Sequence, residues 1–225
     1  MSHQNIWELQ GFLLNRQVRR GQIVKSMLKS FKARLVLDVG CAEGFLTNFL
    51  SQLPAYIIGI DLDESIKIAK SKVSRADFIR ATITHLPFKD ECFDAITILE
   101  VLEHLPNPIL NEGIKEVDRV LKPEGILLIS APYKEKITYT RCIHCGKLTP
   151  LWGHLRSLDE HKVSSSLPKN YRLVGKKHIP NLELISCSRV MSFLPLQLWL
   201  LINEILGIIR KGYWIILEYI KSSEC

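Results

Sequence analysis

Asp38-Val-Gly-Cys-Ala-Glu-Gly44 sets two carboxylates, a thiol and two glycines within seven residues. Gly40 and Gly44 let backbone approach a ligand closely, because no Cβ intrudes. The stretch follows the apolar run Leu35–Val39 and precedes an apolar helical pattern, so it reads as a buried strand feeding a tight turn into a helix. Such a turn at the carboxyl edge of a parallel sheet is where nucleotide-like cofactors bind. Asp61 ends the second strand-like run, where a carboxylate can accept hydrogen bonds from both ribose hydroxyls. Dinucleotide sites use the same acid but want G-x-G-x-x-G to seat a pyrophosphate on a helix N-terminus. Here the spacing is Gly40-x-x-x-Gly44 with Glu43 inside the turn. An acid repels a pyrophosphate and attracts an ammonium or sulfonium group.

A second group carries different chemistry. Cys142 and Cys145, followed by Gly146, have the spacing and turn of half a zinc knuckle. His154 gives a third ligand, and His161 or His144 a fourth; the sequence has no second C-x2-C. This predicts one structural zinc, with a free thiol pair or a disulfide as the alternatives. His104 is a candidate general base, or a helix-start residue that packs locally. Asp38 could instead tie the backbone N–H groups of the loop, and Cys41 fits a small buried apolar residue.

The elements that must position these residues alternate along the chain. Strand-like runs lie at Leu35–Val39, Tyr56–Ile60, Phe78–Arg80, Ala95–Leu99 and Gly125–Ser130, with helical patterns at Gly44–Gln52, Glu64–Val73 and Pro108–Leu121. That alternation implies a parallel sheet with right-handed crossovers. Asp63 is placed to cap the second helix, and Lys122-Pro-Glu-Gly125 ends the third. The boundaries read as N-terminal helices over 1–34, an α/β core over 35–133, a Cys/His insertion over 134–167, final strands over 168–190 (Tyr171–His178 and Leu182–Arg189) and an apolar helical C-terminus over 191–225.

Over roughly residues 30–135 the chain resembles the class I S-adenosylmethionine-dependent methyltransferases. The resemblance rests on Asp38–Gly44, on Ile57-Ile-Gly-Ile-Asp61, on Leu86-Pro-Phe88 with Phe93-Asp94 and Glu100-Val-Leu-Glu-His104, and on Leu121-Lys-Pro-Glu-Gly125. It implies a doubly wound, seven-stranded, mostly parallel Rossmann-like sheet and S-adenosyl-L-methionine as cofactor. Gly40 and Gly44 would then flank the methionine portion, Asp61 would hold the ribose, Leu62, Thr82 and Ile83 would meet the adenine and Glu100 the methionine end, with Asp38, Cys41, Ala42 and Glu43 also counted as cofactor-binding. Ala42 stands where glycine is usual, and Thr82 where the family often has an acid. The implied reaction is in-line displacement by an O, N or C nucleophile. A zinc would staple a lid over the acceptor, since a sulfonium methyl needs no Lewis acid.

Composition narrows the rest. With 47% apolar and 24% charged residues the 225-residue chain has the balance of a folded globular protein. A net charge of +7 favours anionic partners such as RNA or acidic lipid, though the excess is spread along the chain. Met1–Gln10 lacks a signal-peptide core, no uninterrupted apolar stretch is long enough to span a bilayer, and the scattered cysteines suit a reducing cytoplasm. The apolar Leu194–Ile220 suggests packing within the chain, a homodimer contact, or docking on a membrane surface. The acceptor expected is small or lipid-like; the alternatives are an RNA or protein methyltransferase and a non-catalytic cofactor-binding module.

Overall fold

The computed structural model describes residues 12–180, 194–207 and 212–223. Helix α1 (Phe12–Phe31) leads into β1 (Leu35–Val39), whose residues from Val36 on are buried. There follow α2 (Thr47–Leu50), β2 (Tyr56–Asp61), α3 (Ile66–Lys72), β3 (Asp77–Arg80), β4 (Phe93–Leu99), a 3₁₀ turn (Leu102–His104), α4 (Asn107–Val120) and β5 (Leu121–Pro132). A small hairpin of β6 (Tyr139–Arg141) and β7 (Leu148–Pro150), then α5 (Glu160–Ser166), precede β8 (Tyr171–Pro180), α6 (Leu196–Gly207) and β9 (Gly212–Lys221).

The seven-stranded sheet has the order β3-β2-β1-β4-β5-β9-β8. The first five strands are parallel, while β9 runs antiparallel between β5 and β8. The strand order reverses beside β1, so the carboxyl ends of β1, β2 and β4 open a crevice at the switch point. Period-two alternation sorts side chains onto two faces. Val36, Ile57, Ala95, Leu128, Trp214 and Ile216 pack with α1 residues Ile23, Val24 and Leu28 and with Trp199 of α6. Leu37, Ile60, Ile98, Ile129, Leu217 and Tyr219 pack with Leu110, Ile114 and Val117 of α4 and Val163 of α5. The α4 residues recur at helical spacing, which is why that helix was legible.

The expected fold class holds, with one correction at the C-terminus. Among the described residues there, Leu196–Gly207 is the helical part; the apolar piece after it is β9, in the interior of the sheet. A strand covered on both faces is apolar at nearly every position, so Tyr213–Ile220 has none of the polar alternation that marks a half-exposed strand. The partner layer that such a segment needs is the sheet itself. The expected strand Leu182–Arg189 lies outside the described residues.

Candidate functional site

The turn after β1 has little freedom. Gly40 has φ +76° and Gly44 φ +79°. A Cβ on Gly40 would stand 2.3 Å from Val101 Cγ2, and one on Gly44 3.0 Å from the Ala69 Cβ. Gly40 and Cys41 donate their N–H groups to the Ile60 carbonyl at 2.8 and 3.0 Å, so the turn hangs from the end of β2. Ala42, at φ +46°, adopts the left-handed conformation that suits glycine. Its N–H donates to Asp61 Oδ2 at 2.8 Å, while Asp61 Oδ1 accepts from the Asp63 N–H at 2.9 Å. Asp61 therefore fastens the turn to the β2–α3 connection and stays half-buried. Beside it Leu62 is 64% exposed, an apolar side chain left uncovered next to a carboxylate.

The other residues expected around a cofactor divide between this crevice and the framework beneath it. Ile83 is buried against Gly113 of α4, and Thr82 Oγ1 lies 3.1 Å from Thr84 Oγ1. Glu100, at φ +59°, follows β4; its Oε1 accepts from Ser130 Oγ at 2.8 Å and pairs at 3.1 Å with the buried Arg20 of α1. Asp38 is 2% exposed and accepts from the hydroxyls of Thr47 (2.6 Å) and Thr97 (2.7 Å), not from backbone N–H groups. Burial pushes its carboxyl up to about 6. Cys41 is buried, and desolvation followed by the charges of Asp38 and Asp61 pushes its thiol well up, as suits an inert apolar residue. Glu43 pairs with Lys72 at 3.1 Å, so its charge is shared with a cation instead of being left wholly for a ligand.

The insertion folds back over the segment that follows β4. The Leu155 N–H donates to the Glu103 carbonyl at 2.7 Å, and Arg156 reaches the Leu105 carbonyl and Asn107 Oδ1. His104 Nδ1 lies 3.3 Å from the Gly153 carbonyl, and the His104 and His154 rings meet edge-to-face at 4.8 Å. Burial, then the neighbouring His154, lowers the His104 pKa. His154 Nδ1 is hydrogen-bonded to Glu135. Glu103 is 1% exposed, and burial followed by the Glu100 charge pushes its carboxyl up to about 9.

These positions correct the expected metal set. Among the described residues the His, Cys, Asp and Glu side chains with ligand atoms close enough to share an ion are Glu103, His104 and His154. Cys142 and Cys145 form the expected turn, with the Gly146 N–H on the Cys142 carbonyl at 2.8 Å, and N–H groups of Cys145 and His144 hold the Cys142 thiol below its ordinary value. His154 does not join that pair; it belongs with Glu103 and His104. His161 is exposed on α5. Spacing located the thiol pair correctly, but the return of the chain over the 3₁₀ turn separates His154 from it. Glu103, Glu135 and Arg20 were not singled out from the sequence; the acid-x-x-acid-His pattern of Glu100–His104 is the signal that pointed to the first.

A family model described as a methyltransferase domain matches residues 37–129. The “Probable S-adenosylmethionine-dependent methyltransferase” of Mycobacterium tuberculosis is 30% identical over 152 residues, 66% of this chain and 53% of that protein. The mitochondrial ubiquinone biosynthesis O-methyltransferase of Rattus norvegicus is 37% identical over 120 residues, 49% of this chain and 34% of its own. The chain thus spans about half the length, or less, of these relatives. The crystal structure of Burkholderia thailandensis 1,6-didemethyltoxoflavin-N1-methyltransferase, with 1,6-didemethyltoxoflavin and S-adenosylhomocysteine bound, superposes with a TM-score of 0.62 at 14% identity, covering 92% of this chain and 79% of that one. Residues 37–129, which hold the glycine turn and the acid at the end of β2, match that methyltransferase domain, and the chain is similar to S-adenosylmethionine-dependent methyltransferases.

Proposed function

We propose that the chain transfers the methyl group of S-adenosylmethionine to a nucleophile on a small or lipid-like acceptor. The observation that carries this reading is the Asp61 carboxylate, which bonds the glycine turn at Ala42 and the β2–α3 connection at Asp63, with Leu62 uncovered beside it. Its remaining lone pairs suit ribose hydroxyls, and Leu62 with Ile83 suits an adenine face. Gly40 and Gly44 carry no side chain and Ala42 only a methyl, which leaves room for the methionine portion at the turn, and Glu100 is assigned to its far end. The bound cofactor supplies an already activated methyl, so the protein's part is alignment, which alone can be worth an effective molarity of about 10⁵–10⁸ M.

Two kinds of support favour a small acceptor. One relative is named for ubiquinone biosynthesis, and the structural neighbour is named for the small molecule 1,6-didemethyltoxoflavin that it holds. The insertion next to His104 also exposes Leu151, Trp152 and Leu155, each about half accessible, which suits an apolar molecule better than a polyanion.

Calorimetry with S-adenosylhomocysteine tests the reading. The wild type binds one equivalent, and Asp61→Ala weakens binding by at least about tenfold, since charge-assisted hydrogen bonds are worth roughly 1.5–3 kcal/mol each. Asp61→Asn can still accept from the Ala42 N–H and separates lost charge from a lost fastening. A folded wild type that does not bind would end the assignment.

A further inference from the structure

Glu103 carries a buried carboxyl group: it is 1% exposed, and neither of its side-chain oxygens has a hydrogen-bond partner among the described residues. A buried carboxyl in that state costs free energy unless something charged or donating meets it. Its ligand atom lies within 4.8 Å of those offered by His104 and His154. Both histidines already have Nδ1 against an oxygen acceptor, His104 on the Gly153 carbonyl and His154 on the Glu135 carboxylate. An N–H at Nδ1 leaves the Nε2 lone pair free, and a carboxylate or carbonyl behind the imidazole is the usual orienting partner of a metal-bound histidine.

We propose that Glu103, His104 and His154 form a site for one divalent transition-metal ion, with Glu135 as the carboxylate that orients His154. Two imidazoles and one carboxylate are ligands suited to zinc and its neighbours, and three protein ligands leave a position open for a small molecule. The site gathers groups distant in sequence: Glu103 and His104 follow β4, and His154 arrives on the strap that the Leu155 N–H anchors to the Glu103 carbonyl. It is distinct from the Cys142–Cys145 turn.

The ion's use follows from its place and rests on the methyl-transfer reading. The 3₁₀ turn that carries Glu103 and His104 begins two residues beyond Glu100, the residue assigned to the methionine end. An acceptor hydroxyl held at the open position would ionise more readily there, its proton passing to solvent base. Its oxygen lone pair then forms the new O–CH₃ bond while the S–CH₃ bonding pair remains on sulfur as a thioether. The acceptor class this selects is an oxygen nucleophile, a hydroxyl.

The metal-stripped 225-residue chain is titrated with Zn²⁺ by calorimetry and with Co²⁺ by absorption spectroscopy. One ion per chain is expected, with Co²⁺ showing visible d–d bands and no near-ultraviolet thiolate charge transfer. His104→Ala, His154→Ala and Glu103→Gln each weaken binding by at least about tenfold, whereas Cys142→Ser with Cys145→Ser leaves it unchanged. Should Glu103→Gln fail to fold, the two histidine variants, at half-buried positions, carry the comparison. Absence of saturable binding overturns the site, as does binding lost in the cysteine variant and retained in His154→Ala. S-adenosylhomocysteine calorimetry on the same samples reports separately on the cofactor reading, so either can fail alone.

Discussion

At Gly40 a single hydrogen atom stands where any other side chain would collide. Alanine there would be held at φ +76° with its methyl 2.3 Å from Val101 Cγ2. The left-handed backbone alone costs about 1–2 kcal/mol, and relief of the clash must move Val101, the residue next to Glu100. Gly40→Ala is expected to lower the unfolding free energy by roughly 2–4 kcal/mol in urea titrations and to weaken S-adenosylhomocysteine binding. Adding Val101→Ala should restore the clash contribution and leave the backbone contribution. Asp38, two residues before, sets a pH dependence. Its folded pKa near 6 lies above the ordinary 3.8, so between those values the folded chain holds a proton that the unfolded chain has released. Stability from this group is therefore fully present below about pH 4 and is lost as pH rises through about 6. From about pH 7 down to about pH 5, wild type should gain on the order of 1 kcal/mol relative to Asp38→Asn. Urea melts of both proteins at the two pH values read that difference, and parallel pH profiles would show that Asp38 does not titrate there.

At the level of elements, the last strand decides what the C-terminal segment is. Ile215, Ile216 and Leu217 are fully buried on both faces of the sheet, and Lys221 Nζ donates to the carbonyls of Asp118 and Leu121 at 2.7 and 3.0 Å, tying β9 to the end of α4. Ile216→Ala should cost about 2–5 kcal/mol, the range for emptying a core site, as read by urea unfolding. Removing residues 208–225 should abolish cooperative melting; a truncated protein that still melts cooperatively would mean the segment is an appendage. The parallel strands were legible because each is a short apolar run, most of them set off from the next by helical periodicity, so local pattern sufficed. The end of β2 was legible in the same way, since an acid closing an apolar run is a local signal. β9 was not, because its partners β5 and β8 are remote in sequence and burial on both faces erases alternation. The His104–His154 pairing escaped for the same reason: its 3₁₀ turn and strap are 49 residues apart at the His104–Gly153 contact. Spacing can propose a thiol pair two residues apart; it cannot propose which distant imidazole returns to which carboxylate.

For the molecule as a whole, the crevice and the antiparallel edge share one sheet, and that makes ligand binding visible at a distance. The candidate cofactor residues sit at the ends of β1, β2 and β4, whereas Trp199 and Trp214 are buried on α6 and β9, beside α1 and β5. The exposed cations near the crevice are largely in ion pairs, such as Lys72 with Glu43 and Arg80 with Glu64, and such surface pairs contribute little. Stabilisation by ligand must therefore come through the turn and be shared by the core. At a concentration 100 times the dissociation constant, a ligand that binds only the folded state adds about 2.7 kcal/mol. For a chain of this size that corresponds to a rise in melting temperature of about 5–11 °C. S-adenosylhomocysteine should produce that rise equally in far-ultraviolet circular dichroism and in tryptophan emission, the latter read in a Trp7→Phe, Trp152→Phe background that leaves the two buried indoles. Asp61→Ala should lose both shifts together. A rise in the circular dichroism midpoint without one in emission would mean that α6 and β9 melt apart from the cofactor-binding half. The sheet would then be two cooperative units instead of one.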